Sequence, residues 1–189
     1  MDIRQEKAHI REAIKERLKR VTDAERLAES RTLCRELLRI LPDESIVVCG
    51  YFPLTDEADL RPALLELLKR GCTVYLPRFN GKTLEFRQTM NLHELPTGVL
   101  KIPEPSDDAP LVDEETIDFV FVPGRAFTRD GRRLGRGNGG YDIWIKKQRE
   151  KNPETQYIGI ALECQLVADI PLEAHDENVD FLMTARGRM

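Results

Sequence analysis

Long hydrophobic runs are missing from this 189-residue chain. No window approaches the ~18 uncharged apolar residues of a helical membrane span, so no span is expected. The N-terminal stretch MDIRQEKAHIRE lacks the apolar core and small-residue cleavage site of a secretory signal, and TARGRM at the other end matches no lipidation or retention signal. Cysteine is scarce: Cys34, Cys49, Cys72 and Cys164 form no C-x-x-C pair. Without an export signal that argues against a disulfide framework, and settings such as IVVCGY and GIALECQ point to reduced, buried, structural thiols. His9, His93 and His175 lie far apart with no zinc-ligand spacing, so no zinc site is expected. These absences indicate a cytoplasmic globular protein.

A dominant charge is missing too. Lys and Arg number 29 against 33 Asp and Glu, a net charge of -4 that excludes a wholly basic nucleic-acid binder and leaves room for a local basic patch. The length fits a single domain over 1–189, with enough chain to bury a core without disulfide or metal. There is no internal repeat and no low-complexity tract.

What is present alternates between helix and strand periods. Ile10, Ile14 and Leu18 predict an amphipathic helix over 3–20. Thr22-x-x-Glu25 has the form of a capping box and opens a second helix, whose stripe is Leu27, Cys34, Leu37 and Leu41 and whose end is marked by Pro42. Residues 1–41 thus form a helical segment expected to pack on the sheet. IVVCGYF (46–52) predicts a strand buried on both faces. A helix follows over 57–70, with Gly71 as its stop. Strands are predicted at 73–79 and 83–88 around an Asn80-Gly81 turn, and at 119–124, 157–164 and 179–184. Residues 89–116 read as surface connection, 125–140 as a loop and 141–150 as a helix. The class is α/β with a largely parallel central sheet flanked by helices. Such sheets bind ligands beyond the carboxyl ends of their strands, which directs attention to the loops after IVVCGYF and FVFVP.

The stretch VPGRAFTRDGRRLGRGNGGYD (122–142) is the richest in chemistry. Gly131, Gly135, Gly137, Gly139 and Gly140 are interleaved with Arg132, Arg133 and Arg136. Glycines let successive N–H groups turn toward an anion, a helix beginning near Tyr141 adds its positive end, and arginine forks bind phosphate. No Gly-Lys-Ser/Thr occurs within this stretch, so it is not a P-loop. Gly135-x-Gly137-x-x-Gly140 matches G-x-G-x-x-G literally, a weak signal so far from the start of the chain; a flexible loop with solvated arginines is the plain alternative. Residues 123–151 hold nine basic and three acidic side chains, net +6, and residues 1–39 net +3, so the remainder carries -13. Positive charge is focused where the glycines are. Few aromatics and no RRM or KH signature accompany it, which leaves an RNA-associated role as a weaker reading. Asp142 beside such a loop either binds Mg²⁺ or caps the helix, and Asp176 is either a second oxygen ligand or a turn residue.

These residues resemble the 5-formyltetrahydrofolate cyclo-ligases, also called 5,10-methenyltetrahydrofolate synthetases. The similarity runs through Lys7-x-x-Ile10-Arg11, Tyr51-Phe52-Pro53-Leu54-x-x-Glu57, Leu76-Pro77-Arg78, Ile102-x-Glu104-Pro105 and Val122-Pro123-Gly124-x-Ala126-Phe127. It centres on Gly131-x-Arg133-Leu134-Gly135-Arg136-Gly137-x-Gly139-x-Tyr141-Asp142 and ends with Gln165, Ile170-Pro171 and His175-Asp176-x-x-Val179-Asp180. The resemblance implies a mainly parallel α/β core similar to those of sugar-phosphate isomerases and CoA-transferases, and a monomer that binds neither nucleic acid nor membrane. It implies ATP- and Mg²⁺-dependent closure of 5-formyltetrahydrofolate to 5,10-methenyltetrahydrofolate through a phosphorylated formyl group, with ADP and phosphate released.

Carried over by position, the resemblance places ATP on Lys7, Arg11, Arg133, Leu134, Gly135, Arg136, Gly137, Asn138, Gly139, Gly140 and Tyr141. Folate falls to Phe52, Glu57 and the Arg136, Gly137, Asn138, Gly139, Gly140 run, catalysis to Arg136 and Tyr141, and Mg²⁺ to Asp142 and Asp176. Read without the resemblance, Lys7 and Arg11 could be one solvated helix face, and Glu57 a carboxylate in a helix first turn. The chain departs from the family pattern at Gly140, where an aromatic is usual, at Asn138 for glycine and at Ile143 for arginine. Asn tolerates the left-handed conformation, so the loop can still form. The lost aromatic leaves open a relative that binds folate or nucleotide without turnover.

Overall fold

The structure is a computed structural model that describes residues 2–98 and 101–189. In chain order its elements are α1 (Ile3–Leu18), α2 (Asp23–Ile40), β1 (Val47–Cys49), α3 (Arg61–Lys69), β2 (Thr73–Phe79), β3 (Leu84–Thr89), β4 (Phe119–Val122), β5 (Ala126–Phe127), β6 (Arg133–Leu134), α4 (Gly140–Lys151), β7 (Gln156–Ile160), β8 (Phe181–Thr184) and β9 (Gly187–Arg188). The predicted capping box forms: the Thr22 hydroxyl accepts from the Glu25 N–H at 3.2 Å, and the Glu25 carboxylate accepts from the Thr22 N–H at 2.9 Å.

Seven strands make one sheet in the order β3-β2-β1-β4-β7-β8-β9. The β2-β1-β4-β7-β8 pairs are all parallel, and β3 and β9 add antiparallel at the two edges. Alternate strand residues face opposite sides. Val48, Val74 and Phe121 pack with Ile14, Leu33, Leu37 and Leu64 of α1, α2 and α3. Cys49, Val120 and Val122 pack with Trp144 and Ile145 of α4 and with Tyr157. Each such side chain fully buried contributes about 1.5–3 kcal/mol, so the helices are held by the sheet faces they cover.

The order of the strands reverses beside β1. From β1 the chain runs through α3 to β2 on one side, and β4 lies on the other. The segments leaving the carboxyl ends of β1 and β4 therefore diverge and leave a crevice between them. No helix among the described residues is long and apolar enough to cross a membrane.

The structure corrects several expected boundaries. The strand expected at 46–52 spans only Val47–Cys49, and the helix expected from 57 begins at Arg61, because residues 50–60 turn back around Glu57. The strand expected at 157–164 ends at Ile160 and gives way to a 3-10 turn at Glu163–Gln165. The supposed loop 125–140 contains the β5–β6 hairpin. Residues 89–116 are more than surface connection: Val112 donates to the Phe86 carbonyl at 3.0 Å, covering the β3 edge, and Leu92 and Glu104 are buried. Residues 99 and 100 of that stretch lie outside the described ones. All four cysteines are free; Cys34, Cys49 and Cys72 are buried as expected, and Cys164 is only partly so.

Candidate active site

A cavity of about 530 Å³ opens in that crevice. One wall is Phe52, Leu54 and Glu57 from the segment after β1; another is Arg133, Gly135, Arg136, Asn138 and Gly140 from the segment after β4. Pro77, Phe79 and Leu84 of the β2–β3 hairpin, Ile102 to Glu104, and Tyr141 to Trp144 of α4 complete it. The volume is that of a small-molecule site, apolar with a few convergent charges.

Two arginines three residues apart do different things there. Arg133 is buried, and its Nη2 meets Asp142 Oδ1 at 2.5 Å while its Nη1 donates to the Pro123 carbonyl at 3.3 Å. Arg136 is a third exposed and bridges two carboxylates from the segment after β1: Glu57 at 2.9 Å and Asp56 at 2.5 Å. Arg125 holds the other oxygen of Asp56 at 2.6 Å. Burial alone would lower the Arg136 guanidinium, but Asp56 and Glu57 hold it above its ordinary value. Glu57 is fixed from behind as well, accepting from the Leu54 N–H at 3.0 Å. Gln165 pins the start of the loop, donating to the Gly124 carbonyl at 2.8 Å.

The loop has a second side. Arg11 Nε donates to the Gly135 carbonyl at 2.9 Å, and its guanidinium lies near Gly137. Arg11 has no carboxylate partner among the described residues. Burial lowers its guanidinium from the ordinary value. One turn earlier, Lys7 is buried against Asp176 at 2.5 Å and Glu173 at 2.8 Å. Burial opposes charge at Lys7, yet the two carboxylates raise its ammonium above the usual value. Burial likewise opposes charge at Asp176, and Lys7 with the Glu173 N–H holds it below the usual carboxylate range.

The predicted metal residues suit a hard cation in donor type. Asp142 receives Arg133 and the Glu177 N–H on Oδ1, leaving Oδ2 without a hydrogen bond. Asp176 receives Lys7 and the Glu173 N–H on Oδ2, leaving Oδ1 without one. The Glu177 N–H ties the two segments together. The group of carboxylate and imidazole atoms that falls within 4.8 Å is Glu173, His175 and Asp176, without Asp142.

Of the remaining expected residues, Phe52 lies on the cavity wall under Arg61, 5.7 Å from ring centroid to guanidinium. Tyr141 stands edge-on to Phe86 and 5.8 Å from the Arg133 guanidinium, and its buried hydroxyl has no hydrogen-bond partner. Burial raises that phenol well above its usual value, with Glu57 adding to the effect. Leu134 points into the core and offers only its backbone, whose carbonyl accepts from the Arg125 N–H at 2.7 Å. Gly137 and Gly139 are off the cavity wall with φ of 107° and 67°. Gly140 opens α4 in ordinary helical backbone; a Cβ there would have Leu84 3.9 Å away, so the missing aromatic leaves space beside the β2–β3 hairpin. Asp56, Arg125, Lys82 and Lys147 were not anticipated. No motif names them; Arg125 lies in the loop itself, and only the fold brings Asp56 to that loop and Lys82 and Lys147 to the cavity wall.

A parallel α/β sheet, a reversal in strand order and a glycine–arginine loop at that point define an α/β protein with its candidate site where ligands of such sheets bind. The sequence profile of the 5-formyltetrahydrofolate cyclo-ligase family matches residues 3–185. The chain is 34% identical to 5-formyltetrahydrofolate cyclo-ligase of Escherichia coli (strain K12) over 68% of its own length and 72% of the relative's. It is 27% identical to the Mus musculus protein of that name, over 92% and 91%. The NMR structure of Aquifex aeolicus 5,10-methenyltetrahydrofolate synthetase superposes with a TM-score of 0.80 at 30% identity, covering 96% of this chain and 91% of that one. The chain belongs to the 5-formyltetrahydrofolate cyclo-ligase family and is an enzyme of that ligase class.

Proposed function

We propose that this protein closes 5-formyltetrahydrofolate to 5,10-methenyltetrahydrofolate with ATP and Mg²⁺. The observation that carries the reading is the two-sided loop: Gly135 to Gly140 has the cavity on one side and Arg11 on the other. Two ligands can then meet across one strand of backbone, which is what a phosphoryl transfer between them requires.

In this reading the pterin enters beside Phe52, and Glu57 accepts from its ring N–H groups. Arg11 and the loop N–H groups hold the triphosphate, and Lys7 supports the same face. The γ-phosphoryl passes to the formyl oxygen, with its O–P bond to ADP breaking. N10 then attacks the formyl carbon and loses its proton; phosphate leaves with the formyl oxygen, and the ring is closed as the methenyl cation. Arg136 lies between the two sides and neutralises charge on the moving phosphoryl group. The unpartnered Tyr141 hydroxyl is available to donate to a ligand oxygen. Asp142 Oδ2 and Asp176 Oδ1 would hold Mg²⁺, which supplies charge neutralisation on the phosphates. The free thiols fit a cytoplasmic protein, and the core shared by the N-terminal helices and the sheet supports one domain over 1–189.

The test is incubation with 5-formyltetrahydrofolate, Mg²⁺ and ATP, following the methenyl chromophore. Absence of ATP-dependent product would sink the reading. Gly140 favours a second reading, a relative that binds without turnover; tight calorimetric binding beside absent product would select it.

A further inference from the structure

The Arg136 guanidinium is already engaged in this structure, on carboxylates of the segment after β1. It reaches Asp56 Oδ1 at 2.5 Å and Glu57 Oε1 at 2.9 Å. A guanidinium that is to serve a phosphate must leave such partners, and a partly buried carboxylate left alone is costly. Glu57 keeps the Leu54 N–H when Arg136 leaves. Asp56 keeps Arg125, whose Nη1 donates to Oδ2 at 2.6 Å. Burial opposes charge at Asp56, yet Arg136 and Arg125 together hold its carboxyl below the usual range. Arg125 itself is fixed. Its side chain is 14% exposed, its N–H donates to the Leu134 carbonyl at 2.7 Å, and its own carbonyl accepts from Gln165 at 3.3 Å. It fills the open position of Val122-Pro123-Gly124-x-Ala126-Phe127, to which no role fell.

We propose that Arg125 is a positioning residue that acts through Asp56: it keeps that carboxylate charge-compensated and so lets Arg136 turn from Asp56 to the triphosphate. This rests on the placement of the triphosphate proposed above. The two arginines differ in the property that such a division of labour needs. Arg125 stands at the base of the β5–β6 hairpin, held by its backbone on both sides. Arg136 lies between Gly135 and Gly137 and is a third exposed. One stays on Asp56 while the other is free to move. Two guanidinium groups on one carboxylate also repel, so each loosens the other's hold on the shared anion. Without Arg125, Arg136 would be the sole counterion of Asp56 and would be fastened there.

The experiment is a double-mutant cycle on nucleotide binding, read by calorimetry with Mg²⁺ and a non-hydrolysable ATP analogue. Arg125→Met should weaken binding about three- to fivefold, the size of a partly exposed ion pair, because Arg136 is then fastened to Asp56. Asp56→Asn should tighten binding by up to about threefold, because Arg136 has one resting partner fewer. In the Asp56→Asn background, Arg125→Met should change the affinity by less than about 1.5-fold, since the residue it acts through is gone. The same weakening in both backgrounds overturns the proposal, for Arg125 would then act on the anion directly or through the fold. Circular dichroism checks that each variant folds. Asp56→Asn is decisive by itself as well, because weaker nucleotide binding in that variant also overturns the proposal. Wild-type protein that does not bind the analogue overturns both this inference and the triphosphate site. Wild-type protein that binds it but forms no methenyl product from ATP overturns the cyclo-ligase reading alone.

Discussion

Both halves of the glycine–arginine loop mix glycine with arginine, yet their physical roles are opposite. The inner half, up to Leu134, is scaffold: β5 pairs with β6, Arg133 is buried on Asp142, and the Gly131 carbonyl accepts from the Val179 N–H at 2.9 Å. A Cβ on Gly131 would lie 2.4 Å from the Val179 carbonyl oxygen. The outer half, from Gly135 to Gly140, borders the cavity and Arg11, and a Cβ on Gly139 would meet nothing within 4 Å. In the inner half glycine is required because another backbone fills the space. In the outer half Gly137 and Gly139 are required because the backbone turns through positive φ there, although nothing crowds Gly139. Composition cannot tell these apart.

The contrast can be broken first at the arginines. Arg133→Met should destabilise the fold by about 3–5 kcal/mol, because it strands the buried Asp142 carboxylate, and urea unfolding would measure it. Arg136→Gln should cost less, about 1–3 kcal/mol: Arg136 and Asp56 are a third exposed, while the buried Glu57 carboxylate keeps the Leu54 N–H. Its turnover should nevertheless fall about 100-fold or more, as for a lost group that stabilises transferring charge. Equal stability losses in the two variants would erase the distinction.

The glycines sharpen it further. Gly131→Ala should cost about 3 kcal/mol, from the clash with Val179 and a φ of 88°. Gly139→Ala should cost about 1–2 kcal/mol, since only its left-handed backbone resists a side chain. Gly140→Ala should stabilise by up to about 0.5 kcal/mol, being a glycine in a helix first turn with open space beside it. Thermal or urea midpoints would rank the three, and any other order means that crowding does not divide the loop as described.

Much of the fold was legible because its signals are local. The capping box at Thr22 and Glu25 needs four residues, and FVFV at 119–122 is a β-forming run that any parallel sheet would bury. The errors lie where tertiary contacts overrule the local pattern. Residues 50–52 continue the apolar run of β1 yet leave the sheet to carry Phe52 and Glu57 to the cavity. The short strands Ala126–Phe127 and Arg133–Leu134 have no periodicity to read and exist because the turn at Gly131 is packed under Val179.

The sequence by itself determined the kind of chemistry: a parallel α/β sheet, a loop of glycines and arginines, and carboxylates at 57, 142 and 176. It also placed the focus of positive charge, which the net value of -4 conceals. Only the tertiary structure decided who pairs with whom. Arg136 meets Glu57 from 79 residues away, Lys7 meets Asp176 from 169, and Lys82 and Lys147 come to one cavity from different elements. Ion pairing depends on distance in space and on burial. Both are set by how the sheet and helices pack, and the spacing of residues along the chain does not encode them.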